Sequence, residues 1–66
     1  MAWSWRYEGG DGRSVPGPSE TFGSQADAES WIGQTWRQLA DAGVTAVILV
    51  EDSREEYRMS LLPAAD

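Results

Sequence analysis
The sequence predicts an α+β fold, a small and mainly antiparallel β-sheet with one helix, about residues 24–42, packed on one face. Three observations carry this. Apolar residues recur at helical spacing between Ser24 and Ala42, an alternating aromatic segment precedes them, and two strand-like segments follow. The coarse order is βαββ, with Ser19–Phe22 as a candidate extra short strand before the helix, all in a single domain spanning residues 1–66.

The first strand is expected over Ala2–Glu8. Trp3, Trp5 and Tyr7 alternate with Ser4, Arg6 and Glu8, the period of a half-buried strand. Gly9–Arg13 is a turn by composition, and Pro16, Gly17 and Pro18 oppose a central strand or a helix. In Ser19–Phe22, Phe22 is expected to pack inward.

Ser24 begins the helix. Ser24-Gln25-Ala26-Asp27 approximates a capping box, in which the hydroxyl accepts from a free backbone N–H. Asp27 is shorter than the usual Glu, which weakens the reciprocal bond. Ala28, Trp31, Ile32, Thr35, Trp36, Leu39 and Ala42 then mark one apolar face. Gly33 is unfavourable in a helix interior by about 1 kcal/mol relative to Ala. Gly43 suits a left-handed C-terminal stop.

Val44–Val50 is almost continuously apolar, the pattern of a strand buried on both faces. Glu51–Glu55 reads as a polar reversal, Glu56–Leu62 as a strand with Tyr57, Met59 and Leu61 on one side, and Pro63–Asp66 as a tail. A central place for Val44–Val50 would explain its double-sided apolarity. One helix covers only one face, so either the Gly9–Gly23 loop or a partner is expected to cover the other.

Composition excludes several classes of function. The 66 residues carry 11 acids against 5 bases, all arginine, for a net charge of −6, with no Cys and no His. Disulfides, thiolate nucleophiles, Cys- or His-based metal sites, Schiff-base lysines and Walker-type phosphate loops are thereby absent. Carboxylates, Tyr, Ser, Thr and Arg remain, a set that supports few enzymes at this size. No enzyme activity and no cofactor is expected. The scattered arginines oppose general nucleic-acid binding, which needs clustered cations. No apolar run approaches the roughly 20 residues of a spanning helix. The N-terminal MAWSWRYE lacks the n- and h-regions of a signal peptide. The expectation is a cytoplasmic protein without membrane contact. Four tryptophans give a small core large buried areas.

Three blocks resemble a family of short uncharacterised actinobacterial proteins: Trp3-Ser4-Trp5-Arg6-Tyr7-Glu8; Ser24–Gly33 (SQADAESWIG); and Glu51-Asp52 with Tyr57 and Met59-Ser60-Leu61. The resemblance covers most of the chain. It implies a bacterial cytoplasmic protein and no activity.

The remaining constellations have mostly structural readings. Trp3, Trp5 and Tyr7 would stack single-stranded bases only with a cationic surround, and alternation turns Arg6 the other way. Glu51, Asp52, Glu55 and Glu56 offer hard-cation ligands, but Arg54 sits among them and no EF-hand spacing exists. A solvated hairpin tip is expected. Gly9-Gly10-Asp11-Gly12 shares only its glycine content with a phosphate loop. Trp31 and Trp36 lie about 140° apart around the helix, so one is expected at the edge of the buried stripe, where it can anchor an interface. The expected function is a small protein-interaction or accessory module, acting as a homodimer or with another protein. Candidate interface residues are Trp31, Trp36, Tyr57, Met59 and Leu61. The alternative is a nucleic-acid-linked regulator, either an aromatic single-strand binder or an acidic DNA mimic.

Overall fold
The computed structural model describes residues 2–61. The elements in chain order are β1 (Trp3–Glu8), β2 (Ser14–Val15), β3 (Thr21–Phe22), α1 (Gln25–Asp41), β4 (Ala46–Glu51) and β5 (Arg54–Ser60). All strand pairs are antiparallel, in the order β2-β1-β4-β5, and β3 also pairs with β1. The fold is thus α+β, with one helix on a five-stranded sheet.

Two strands precede the helix. Thr21–Phe22 falls within the expected Ser19–Phe22 segment, with Thr21 opposite Ser4 and Phe22 opposite Trp3. Ser14–Val15 was not expected as a strand. Its two residues pair with Tyr7 and Glu8, so β1 imposes the extended form where Pro16 would otherwise end it. Arg54 and Glu55 belong to β5 and not to the reversal, which narrows to Asp52-Ser53. Asp52 takes a positive φ of 55°, which Asp tolerates better than most side chains. Its N–H donates to Ala2 O at 2.8 Å and its Oδ1 accepts from Ala2 N at 3.1 Å. Leu62, expected to end the last strand, and the tail Pro63–Asp66 lie outside the described residues.

The helix ends follow the capping residues. Ser24 is extended at the N-cap, and its Oγ accepts from Asp27 N at 3.2 Å. At the other end Val44 N donates to Leu39 O at 3.0 Å and Gly43 N to Ala40 O at 3.1 Å. This pair of bonds is a Schellman motif, with Gly43 in the left-handed position at φ 98°. Val44 and Leu39, which the motif brings together, both join the core.

The core lies between the helix and one sheet face. Trp5, Tyr7, Val47 and Leu49 from the sheet meet Ala28, Ile32 and Leu39 from α1, with Val44 and Leu61 at the helix C-terminal end. Trp5 Nε1 donates to Ala28 O at 3.0 Å, fixing β1 to the first turns of α1. The Pro16–Glu20 stretch closes the same side of the sheet. Tyr7 Oη donates to Pro18 O at 2.8 Å, and Gly17 passes so close to the Tyr7 ring that no side chain fits there.

The chain's own charged side chains cover the opposite face. Ala46, Ile48 and Val50 of β4 point there, and each is at most 5% exposed. Their cross-strand neighbours are Glu8, Arg6 and Ser4 of β1, and Ser60, Arg58 and Glu55 of β5. Arg6 Nη1 meets Glu55 Oε2 at 2.7 Å, and Arg58 Nε meets Glu8 Oε1 at 2.9 Å. Both pairs join β1 to β5, so they span β4 and straddle Ile48. Exposed ion pairs stabilise little by themselves. Here the aliphatic stems cover apolar surface while the charged heads stay in water. A central β4 therefore accounts for the double-sided apolarity of the sequence.

Candidate functional site
The site is built from the residues that the fold leaves uncovered. Among the described residues, Trp36, Tyr57 and Met59 are the exposed large hydrophobics, at 39%, 36% and 38%. Tyr57 and Met59 stand opposite Leu49 and Val47, which places both on the helix side of β5. Tyr57 Oη donates to Glu29 Oε2 at 2.7 Å, so Glu29 marks the flank of α1 that faces β5. Trp36 is seven residues beyond Glu29, close to two full turns, and projects from the same flank. The three side chains thus border one groove between α1 and β5. Tyr57 also meets the buried Trp5 edge-on, with centroids 6.2 Å apart and planes at 73°, which ties the groove floor to the core.

The groove adjoins the outer edge of the sheet, formed by β5. β5 pairs with β4 on one side and with no strand on the other among the described residues. The register shifts between Leu49 and Val50, leaving Glu56 as the extra residue of a bulge. The regular part of the edge begins at Tyr57. Glu56 Oε2 is 3.2 Å from Arg54 Nε without a well-directed hydrogen bond.

Of the expected interface residues, Trp36, Tyr57 and Met59 therefore converge. Trp31 does not join them. It lies half-buried on the other flank of α1 and packs on Phe22 at 5.5 Å between centroids. Leu61 is 7% exposed and belongs to the core, because its N–H bonds to Thr45 O at 2.8 Å and draws it under the end of α1. Sequence reasoning missed Arg37 as a groove neighbour. Its guanidinium sits 5.4 Å from the Trp36 ring centroid, a cation–π distance that the adjacency of the two residues makes possible.

The other constellations separate. Trp5 and Tyr7, at 6% and 5% exposure, lie beneath α1 and the loop, so the aromatic face of β1 is not a surface platform. The hairpin acids also have separate engagements: Glu55 with Arg6, Glu56 with Arg54, and Asp52 with Ala2 N–H. No three acids among the described residues are arranged to hold a metal ion. A shallow cleft of about 250 Å³ opens at the β1 edge, between Val15 and the Gly17–Ser19 stretch. Its polar lining includes the Ser14 and Ser19 hydroxyls and Arg6, whose guanidinium is held by Glu55.

Both tyrosines are shifted far from neutrality. Burial pushes the Tyr7 hydroxyl up to about 12, aided by the nearby Glu20 charge. Tyr57 also rises to about 12, from burial first and then from its bond to Glu29. The same bond, with that from Gln25, holds the Glu29 carboxyl below the usual range. The fold thus prefers neutral tyrosines. Their stabilisation is complete below the unfolded value near 10 and is lost as pH rises through about 12. Tyrosinate absorbance is expected to appear near pH 12 in the folded protein and near 10 in denaturant. Folded protein titrating near 10 would contradict the burial of Tyr7 and the Tyr57–Glu29 bond.

No helix of the described residues is long and apolar enough to cross a membrane. No family model, curated protein or solved structure matches this chain. The functional reading therefore rests on the groove and the edge beside it.

Proposed function
We propose that this chain is a protein-interaction module that receives its partner at the α1/β5 groove and the neighbouring β5 edge. What carries the reading is the exposure of Trp36, Tyr57 and Met59 along the α1/β5 flank, beside a β5 edge that pairs with no further strand among the described residues. Exposed aromatic and Met side chains bordering an open strand suit strand addition with side-chain anchoring. The reading involves no catalytic step, and it leaves the Tyr7 and Tyr57 hydroxyls protonated at neutral pH. The acidic-mimic alternative draws on the surface acids, but a charge-only contact would leave the three apolar side chains wet.

A photo-crosslinking residue at position 36 or 59, introduced in the native cell, is expected to give one discrete protein adduct. The same residue at position 13, in the Gly9–Arg13 turn, is expected to give none. Equal labelling at all three positions would sink the reading. Sedimentation equilibrium at micromolar concentration separates self-association from a different partner, since a homodimer has twice the 7.3 kDa chain mass.

A further inference from the structure
The charge of the chain is not spread evenly along the sheet. The β4–β5 turn, the start of β1, β3 and the first turns of α1 share one end of the molecule, as the pairings of Trp3 with Phe22 and Glu51 show. Glu20, Asp27, Glu29, Glu51, Asp52, Glu55 and Glu56 gather toward that end, with only Arg6 and Arg54 to offset them. Toward the other end, Glu8, Asp11 and Asp41 are balanced by Arg13, Arg37 and Arg58. The first half of β5, Arg54–Glu56, lies at the acidic end, and Met59 lies toward the balanced one.

We infer that the partner is an extended cationic segment that pairs antiparallel with β5, its apolar residues entering first and its basic residues following. This rests on the docking reading above and adds the chemistry and direction of the occupant. Antiparallel ladders are the more stable choice for a short added strand. In that direction the N-terminal half of the segment lies along Tyr57 and Met59. Alternate side chains then enter the groove beside Trp36. The C-terminal half passes the Glu56 bulge, where regular pairing stops and charge takes over. There it meets Glu29 and Glu51 at the acidic end. A second copy of this chain fits the site poorly. It brings the same net charge of −6, and its Arg6, Arg13, Arg54 and Arg58 each already lie within 3.3 Å of a carboxylate.

The test is selection of a random peptide library, displayed on phage, against the full chain at low salt. The enriched peptides are expected to alternate apolar residues and then carry Lys or Arg in their C-terminal half. Their affinity is expected to fall about tenfold with Met59→Glu, which places a charge where the apolar half of the segment docks. A fall of about tenfold is also expected between low and high sodium chloride. Circular dichroism of Met59→Glu, a change at an exposed edge position, is the control for folding. Enriched peptides without positive charge that are still lost on Met59→Glu would overturn this inference and leave the docking site standing. Peptides indifferent to Met59→Glu, or no enrichment, would overturn both. Self-association of the chain that Met59→Glu abolishes would replace the cationic segment with a second copy.

Discussion
Replacing Trp5 with alanine is expected to abolish cooperative unfolding at room temperature. The indole is 6% exposed, donates to Ala28 O at 3.0 Å and meets Tyr57 edge-on. It therefore joins β1, α1 and β5 at one point. Truncating a buried Trp costs about 3–5 kcal/mol, and the lost hydrogen bond adds about 1 kcal/mol. A domain of this length has a total stability of roughly 3–10 kcal/mol. Trp5→Phe keeps a ring in the core and loses the N–H, so a cost of about 1–2 kcal/mol is expected. Urea denaturation followed by far-ultraviolet circular dichroism measures both. If Trp5→Ala leaves the midpoint unmoved, the indole is not the tie between sheet and helix.

Gly17→Ala is expected to lift the Pro16–Glu20 stretch from the sheet. An added Cβ would stand 2.6 Å from Tyr7 Cε2 and closer still to Cδ2. The obstacle is a buried ring whose hydroxyl is bonded to Pro18 O, not the free end of a flexible chain. Overpacking of this kind costs about 1–3 kcal/mol. It also wets Tyr7, so the hydroxyl that titrates at about 12 is expected to move down toward 10. A Tyr57→Phe background removes the other tyrosine from the absorbance change. An unchanged Tyr7 titration in folded Gly17→Ala would show that the loop tolerates the methyl group.

The sequence expresses local rules well and long-range ones poorly. Ser24 and Gly43 bound the helix because each solves a backbone problem within a few residues of itself, and the observed caps follow. The alternation of Trp3, Trp5 and Tyr7 likewise appears as one sheet face under the helix. The strand Ser14–Val15 left no local sign, because its extended form comes from pairing with Tyr7 and Glu8. The cover over Ile48 was also hidden. Arg6 and Glu55 read simply as polar positions until the register sets them on either side of β4. In the candidate site, Tyr57, Met59 and Leu61 look equivalent at period two. Only the end of the helix, where Leu39 and Val44 meet Leu61, separates the buried one from the exposed two.

The charged cover has a consequence for how the chain is made. Its two ion pairs join residues 49 and 50 positions apart, each with one partner in β1 and the other in β5. Synthesis delivers β1, then α1 and β4, and β5 after them. Until β5 emerges, Glu55 and Arg58 do not exist, and the Ala46-Ile48-Val50 strip has no lid across it. The nascent chain therefore carries an open apolar strand edge and face during the very interval when such surfaces are prone to aggregation. Pairing of β5 with β4 covers that strip and moves the open edge from β4 to β5, whose first half is charged and bulged.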